Sequence, residues 1–108
     1  MDVQFLYLTT TGRKTGKPHR IEIWFVEHDK RYYITSERGR RAHWIQNIMR
    51  LPKVSFNVSN MQFEGSARIL DQARDYELSA LVSKLMREKY GWGDGLIVEL
   101  INNSLLPK

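Results

Sequence analysis

The amino-acid sequence predicts a mainly β domain of the α+β class: a small antiparallel barrel of six strands with one short and one long helix. Three observations lead there. Apolar residues recur with period two along several short runs, the pattern of strands with one face buried. Short polar turns join neighbouring runs, which makes most of them hairpins. And 108 residues suffice for one domain with one modest core, so residues 1–108 are expected to form a single unit with no room for a large sandwich. A five-stranded oligonucleotide-binding barrel fits the same pattern and stands as the rival architecture.

Val3–Thr9 (VQFLYLT) is short, apolar and aromatic, hence a strand. After the stretch Thr9–Pro18, a second strand is expected over Arg20–Glu27, where Ile21, Ile23 and Phe25 recur with period two. His28–Asp29–Lys30 is a tight polar connection into Arg31–Ser36 (RYYITS), whose aromatic and β-branched residues complete a hairpin. Glu37–Arg41 (ERGRR) is a basic loop. Ala42–Leu51 then reads as the short helix, with Trp44, Ile45, Ile48 and Met49 on one face and Pro52 ending it. Val54–Val58 and Phe63–Leu70 form another hairpin around Ser59–Asn60. The long helix is expected over Asp71–Tyr90, capped by Asp71 or Asp75, with Leu78, Leu81, Val82, Leu85 and Met86 buried and Gly91 at its C-terminal end. Leu96–Ile101 (LIVELI) is the last strand.

Composition narrows the function. With no cysteine, disulfides and thiolate metal sites are excluded, and an intracellular, cytoplasmic setting is the default. No signal peptide is expected, because Met1–Asp2 leads into an apolar run without a basic n-region, and no run is long enough for a membrane span. A net charge of +5 favours anionic partners: phosphorylated cofactors, nucleic acid or acidic surfaces.

The stretch Thr9–Pro18 (TTTGRKTGKP) is the candidate binding element. Gly12 and Gly16 permit tight turns and close backbone approach. Thr15, Lys14 and the Arg13 fork can surround a phosphate together with backbone N–H groups. An ordinary solvated hairpin turn has a similar composition, so the element stands between these two readings. Other chemistries lack their signatures. His19, His28 and His43 have no metal-ligand spacing, no serine sits in a nucleophile motif, and Gly12–Gly16 is too short for a Walker A loop, so no metal site and no catalytic residue are assigned.

Leu8–Pro18 (LTTTGRKTGKP), the hairpin after it, and the run Ser36–Ile48 (SERGRRAHWIQNI) together resemble the deazaflavin-dependent nitroreductase family. That family belongs to the split-barrel, flavin-reductase-like group related to pyridoxamine phosphate oxidase. The resemblance implies a six-stranded antiparallel split β-barrel that forms a homodimer and binds a deazaflavin (F420) or FMN between subunits. It places the phosphate at Arg13, Lys14, Thr15 and Gly16. The loop carrying Ser36, Arg38, Gly39 and Arg41 lies on the other side, with Trp44 and Asn47 on the helix behind it. The implied activity is hydride transfer to or from a small organic substrate, with the cofactor supplying the chemistry. Arginines of Glu37–Arg41 stand where the family usually has a lysine, and the N-terminal helix of many members is not found here, so a more open site is expected.

Two further readings come from other classes. One is a non-catalytic barrel that stores or senses the cofactor. The other is a nucleic-acid-binding barrel, which would use the net charge with Tyr32 and Tyr33 as surface stacking platforms, although the cations cluster in two loops instead of along a strand. For individual residues plainer roles compete: Arg38, Arg40 and Arg41 as a solvated face, Trp44 as core, His43 as structural, and Tyr90 and Trp92 as packing at the barrel end.

Overall fold

A computed structural model describes residues 4–103. It contains β1 (Phe5–Thr11), β2 (Pro18–His28), β3 (Arg31–Ser36), a 3-10 turn (Gly39–Arg41), α1 (His43–Arg50), β4 (Lys53–Val58), β5 (Met61–Ile69), α2 (Tyr76–Tyr90) and β6 (Leu96–Asn102). Every ladder is antiparallel, and the strands close into a barrel in the order β1-β2-β3-β6-β5-β4.

The alternation read from the sequence is what fills the barrel. Leu6 and Leu8 of β1, Ile34 of β3, Phe56 of β4 and Val98 and Leu100 of β6 point inward and are fully buried. Phe25, Tyr32, Phe56 and Phe63 add an aromatic layer with ring centroids 5.3–5.9 Å apart, in the offset and edge geometries that aromatic quadrupoles favour. Tyr32 and Tyr33 are therefore interior residues. That removes the exposed stacking platform on which the nucleic-acid reading depended.

Ala42, Ile45 and Ile48 from the start and face of α1 join this core, whereas Met49, expected beside them, is 55% exposed. A second cluster lies between the barrel's outer surface and α2: Val26, Tyr33, Leu70 and Ile97 from the barrel meet Val82 and Met86 of the helix. Gly65 marks the tightest strand crossing. A Cβ there would sit 1.9 Å from the Ile101 carbonyl oxygen of β6, so only glycine lets the two backbones approach.

Several boundaries differ from expectation. β1 runs on to Thr11 and β2 begins at Pro18, which shortens the intervening turn to Gly12–Lys17; Val3 lies outside the described residues. The β2–β3 turn has positive φ at Asp29 (52°) and Lys30 (65°), the conformation that matches strand twist in a two-residue hairpin. α2 starts at Tyr76, not Asp71. The Asp71 carboxylate accepts from the N–H groups of Ala73 and Arg74, closing a separate turn. Asp75 occupies the N-cap position without capping, because Arg68 and the Asp71 N–H hold its carboxylate. Gly91 ends the helix at φ 76°, as expected.

Arg68 continues into a buried ionic group. Its Nε donates to Glu99 Oε1 (3.1 Å), to which Arg31 also pairs (3.2 Å), and Tyr33 Oη donates to Glu99 Oε2 (2.8 Å). Glu99 is 1% exposed, and a buried carboxylate is tolerated only with partners of this kind. The group ties β3, β5 and β6 to the turn before α2.

The feature that shapes the site is the unequal extent of the two ladders that flank β2. Pro18–Trp24 pair with β1, whereas only Phe25–His28 pair with β3. Thr35 and Ser36 pair with β6 alone. The barrel wall is thus split between the first half of β2 and the end of β3.

Candidate functional site

A trough opens along this split and runs up to the Gly12–Lys17 turn. Its turn end, a hollow of about 420 Å³, is lined by Arg13, Lys14, Thr15, His19, His43 and Asn47. The adjoining part, about 480 Å³, shares His19, His43 and Asn47 and continues past Arg20, Ile21 and Ile23 of β2, Thr35 and Ser36 of β3, Arg38 of the loop and Trp44 of α1. Arg13 and Lys14 stand at the first part; Ile21, Ile23 and Trp44 wall the second, where Arg20, Arg38 and Glu37 also stand.

The turn is held by its own backbone. Gly12 N–H donates to the Lys17 carbonyl (2.8 Å), and Gly16 N–H donates to the Gly12 carbonyl (2.8 Å). Gly16 adopts φ 72°, and Lys17 N–H donates to Thr15 Oγ1 (3.2 Å). The Gly16 N–H expected to help surround a phosphate is therefore already used inside the turn. The Thr15 hydroxyl keeps its own proton to donate. Gly12 has a packing role: a Cβ would lie 2.6 Å from His19 Nε2, so glycine lets the imidazole close over the turn.

Asn47, 3% exposed on α1, positions Arg13. Its Oδ1 accepts from the Arg13 backbone N–H (3.1 Å) and from Nη1 (3.3 Å), and its Nδ2 donates to Thr10 Oγ1 (3.0 Å). Arg13 Nη2 lies 3.4 Å from His43 Nδ1. A guanidinium only donates, so Nδ1 is the acceptor, and a neutral His43 carries its proton on Nε2. His43, expected to be structural, is instead exposed at the trough beside Arg13.

Of the residues expected at a cofactor site, Arg13, Lys14, Thr15, Ser36, Arg38 and Trp44 line the trough. Gly16, Gly39 and Arg41 do not; they shape the two loops. Ser36 Oγ donates to the Gly39 carbonyl (2.9 Å) and Arg41 N–H to the Arg38 carbonyl (3.2 Å). Gln46 Nε2 reaches the carbonyls of Arg40 (3.3 Å) and Arg41 (3.4 Å), fixing the loop on α1. His19, Arg20 and Thr35 are trough residues that the sequence did not single out. Thr35 is 5% exposed, and its Oγ1 is buried with no hydrogen-bond partner among the described residues.

The sequence matches the family described as F420H(2)-dependent quinone reductase over residues 1–93. The fold is similar to that of HutZ, the heme storage protein from Vibrio cholerae, at TM-score 0.74 and 20% identity, covering 94% of this chain and 82% of that one. It is similar to an F420-H2 dependent reductase (FDR-A) at TM-score 0.65 and 23% identity, covering 94% and 96%. It is also similar to an FAD-binding protein from Mesorhizobium loti at TM-score 0.71 and 15% identity, covering 92% and 80%. These identities show a common fold and nothing finer. The family match spans most of the chain and agrees with the deazaflavin-dependent, split-barrel resemblance carried by Leu8–Pro18; its description names quinones where the resemblance named nitro compounds. The chain belongs to the F420H(2)-dependent quinone reductase family.

Proposed function

We propose that this protein is an oxidoreductase that binds a phosphorylated deazaflavin of the F420 class in the trough and reduces or oxidises a small planar organic molecule. The observation that carries the reading is the continuity of one trough from a cationic turn into an apolar split. A ligand with a phosphate at one end and a flat ring at the other matches that layout. The orphaned Thr35 hydroxyl supports the fit, because a buried hydroxyl without a partner is costly until something completes it. Arg13, Lys14 and the Thr15 hydroxyl would hold the phosphate. Ile21, Ile23 and Trp44 would flank the ring, and Thr35 would meet a polar edge. When bound, the cofactor supplies a hydride donor or acceptor. This chain's part is to orient it, exclude water along the apolar wall, and hold the Arg13 guanidinium at the phosphate end through Asn47 and His43.

The test is Arg13→Ala. Arg13 reaches the turn end already braced by Asn47 and His43, and a charge-assisted contact of this type is worth about 1.5–3 kcal/mol. Titration calorimetry is expected to show about tenfold to a hundredfold weaker binding of F420. Binding of its dephosphorylated form is expected to stay the same. Lys30→Ala, at the hairpin turn between β2 and β3, should change neither. Unaltered F420 binding by Arg13→Ala sinks the phosphate assignment, and a parallel titration with FMN distinguishes flavin from deazaflavin.

A further inference from the structure

Between the first two turns of α2 and the start of β6 lies a cavity of about 200 Å³, and we infer that it binds a free, neutral nucleobase. It shares no lining residue with either part of the trough. Leu70 and Ile97, both buried, give it an apolar floor, and Gln72, Tyr76, Ser79 and Ser83 bring polar groups to it. The side chains of those four have no hydrogen-bond partner among the described residues. No charged side chain lines the cavity, although charged residues make up 27% of the chain. A ligand here is therefore neutral, and with no cation at hand for a phosphate it is the base and not the nucleotide.

The walls are held in place before any ligand arrives. Leu70 N–H donates to the Ile97 carbonyl (2.9 Å), fixing the floor. The turn that carries Gln72 is closed on both sides: the Asp71 carboxylate accepts from Ala73 N–H (2.8 Å) and Arg74 N–H (2.9 Å), and Asp71 N–H donates to Asp75 Oδ2 (2.7 Å). The link from α2 to β6 is set by close backbone approach, since a Cβ on Gly93 would lie 2.4 Å from the Ser83 carbonyl oxygen and one on Gly95 2.5 Å from that of Ser36. Tyr76, Ser79 and Ser83 stand at i, i+3 and i+7 of α2, on one face of the helix. The Gln72 amide offers a donor beside an acceptor, the complement of a base edge such as the N6–H and N7 pair of adenine. The Tyr76 ring, 71% exposed, has a face free for a base to stack on. The two serine hydroxyls donate or accept as the ring nitrogens require. At less than half the volume of the turn end of the trough, the cavity has room for one base.

The test is titration of the full chain with adenine, followed by NMR. The backbone amides of Ser79, Ser83 and Gly95 report on the cavity, and the Trp44 indole N–H reports on the trough. Adenine is expected to move the three amides and leave Trp44. N6,N6-dimethyladenine keeps the ring and loses the N6 donors, so it is expected to bind about tenfold more weakly. Gln72→Ala is expected to weaken adenine by a similar factor with no change in urea midpoint, because Gln72 is exposed and braces nothing else. The site does not rest on the cofactor assignment: Arg13→Ala is expected to bind adenine as wild type does, so failure of one leaves the other intact. No shift at the three amides, shifts at Trp44 alone, equal binding of the dimethyl derivative, or undiminished binding by Gln72→Ala would each overturn the site.

Discussion

Asn47 braces the turn end of the trough. One buried amide satisfies the Arg13 backbone N–H, its guanidinium and the Thr10 hydroxyl. Asn47→Ala leaves two of those groups unpaired in a part-buried setting, at a cost of about 1–3 kcal/mol. The expected outcome is a lower urea midpoint, together with weaker F420 binding although no ligand contact is deleted. Thr35→Val goes the other way. Its hydroxyl has no partner among the described residues, so replacing it with a methyl group of similar size is expected to raise stability by about 1 kcal/mol. The same change should weaken F420, and a variant that is less stable than wild type would show the hydroxyl to be satisfied. The positions of Arg13 and Lys14 in an exposed turn were legible from residue type and spacing. The roles of Asn47, His43 and Thr35 were not, because a polar residue gains a role only from what lies across from it, 30 or more residues away for the Asn47–Arg13 and His43–Arg13 contacts.

Among the elements, the strands were the most readable and the start of α2 the least. Period-two alternation reports which face of a strand is buried, so the runs around Ile21, Ile34 and Phe56 appear where expected. The Asp71–Tyr76 region reads as helix because both aspartates are good caps. Arg68 and the Asp71 backbone compete for the Asp75 carboxylate and win. That same arginine leads to Glu99 and Tyr33, and burial pushes the Tyr33 phenol well above its ordinary value of 10.0, with its hydrogen bond to Glu99 adding to the effect. A raised acid means that the unfolded chain loses the proton first as pH rises. Stability is therefore expected to be full below about pH 10 and to fall above it. Urea unfolding across that range checks it: in Tyr33→Phe this alkaline slope should be reduced relative to wild type. The Arg68 guanidinium also holds the Asp75 carboxyl below its ordinary value of 3.8. That contribution is present above the ordinary value and is lost as pH falls through the lowered one.

For the whole molecule, the outer face of β1 and β2 leaves Phe5, Tyr7 and Trp24 about two-fifths exposed, and aromatic residues gathered on one surface favour a partner. A homodimer is the expected assembly. Light scattering at micromolar concentration checks it, and a monomer that still binds F420 tightly would contradict a site shared between subunits. Sequence alone determined that this chain is a small antiparallel β structure with a cation-rich turn within Thr9–Pro18, because alternation, turn residues and charge are local properties. Only the tertiary structure decided that the turn leads into a trough. Alternation states which face of β2 is buried but not which strand lies along each edge. The ending of the β2–β3 ladder at Phe25, which leaves Pro18–Trp24 paired with β1 on one edge and not with β3 on the other, is what opens the wall.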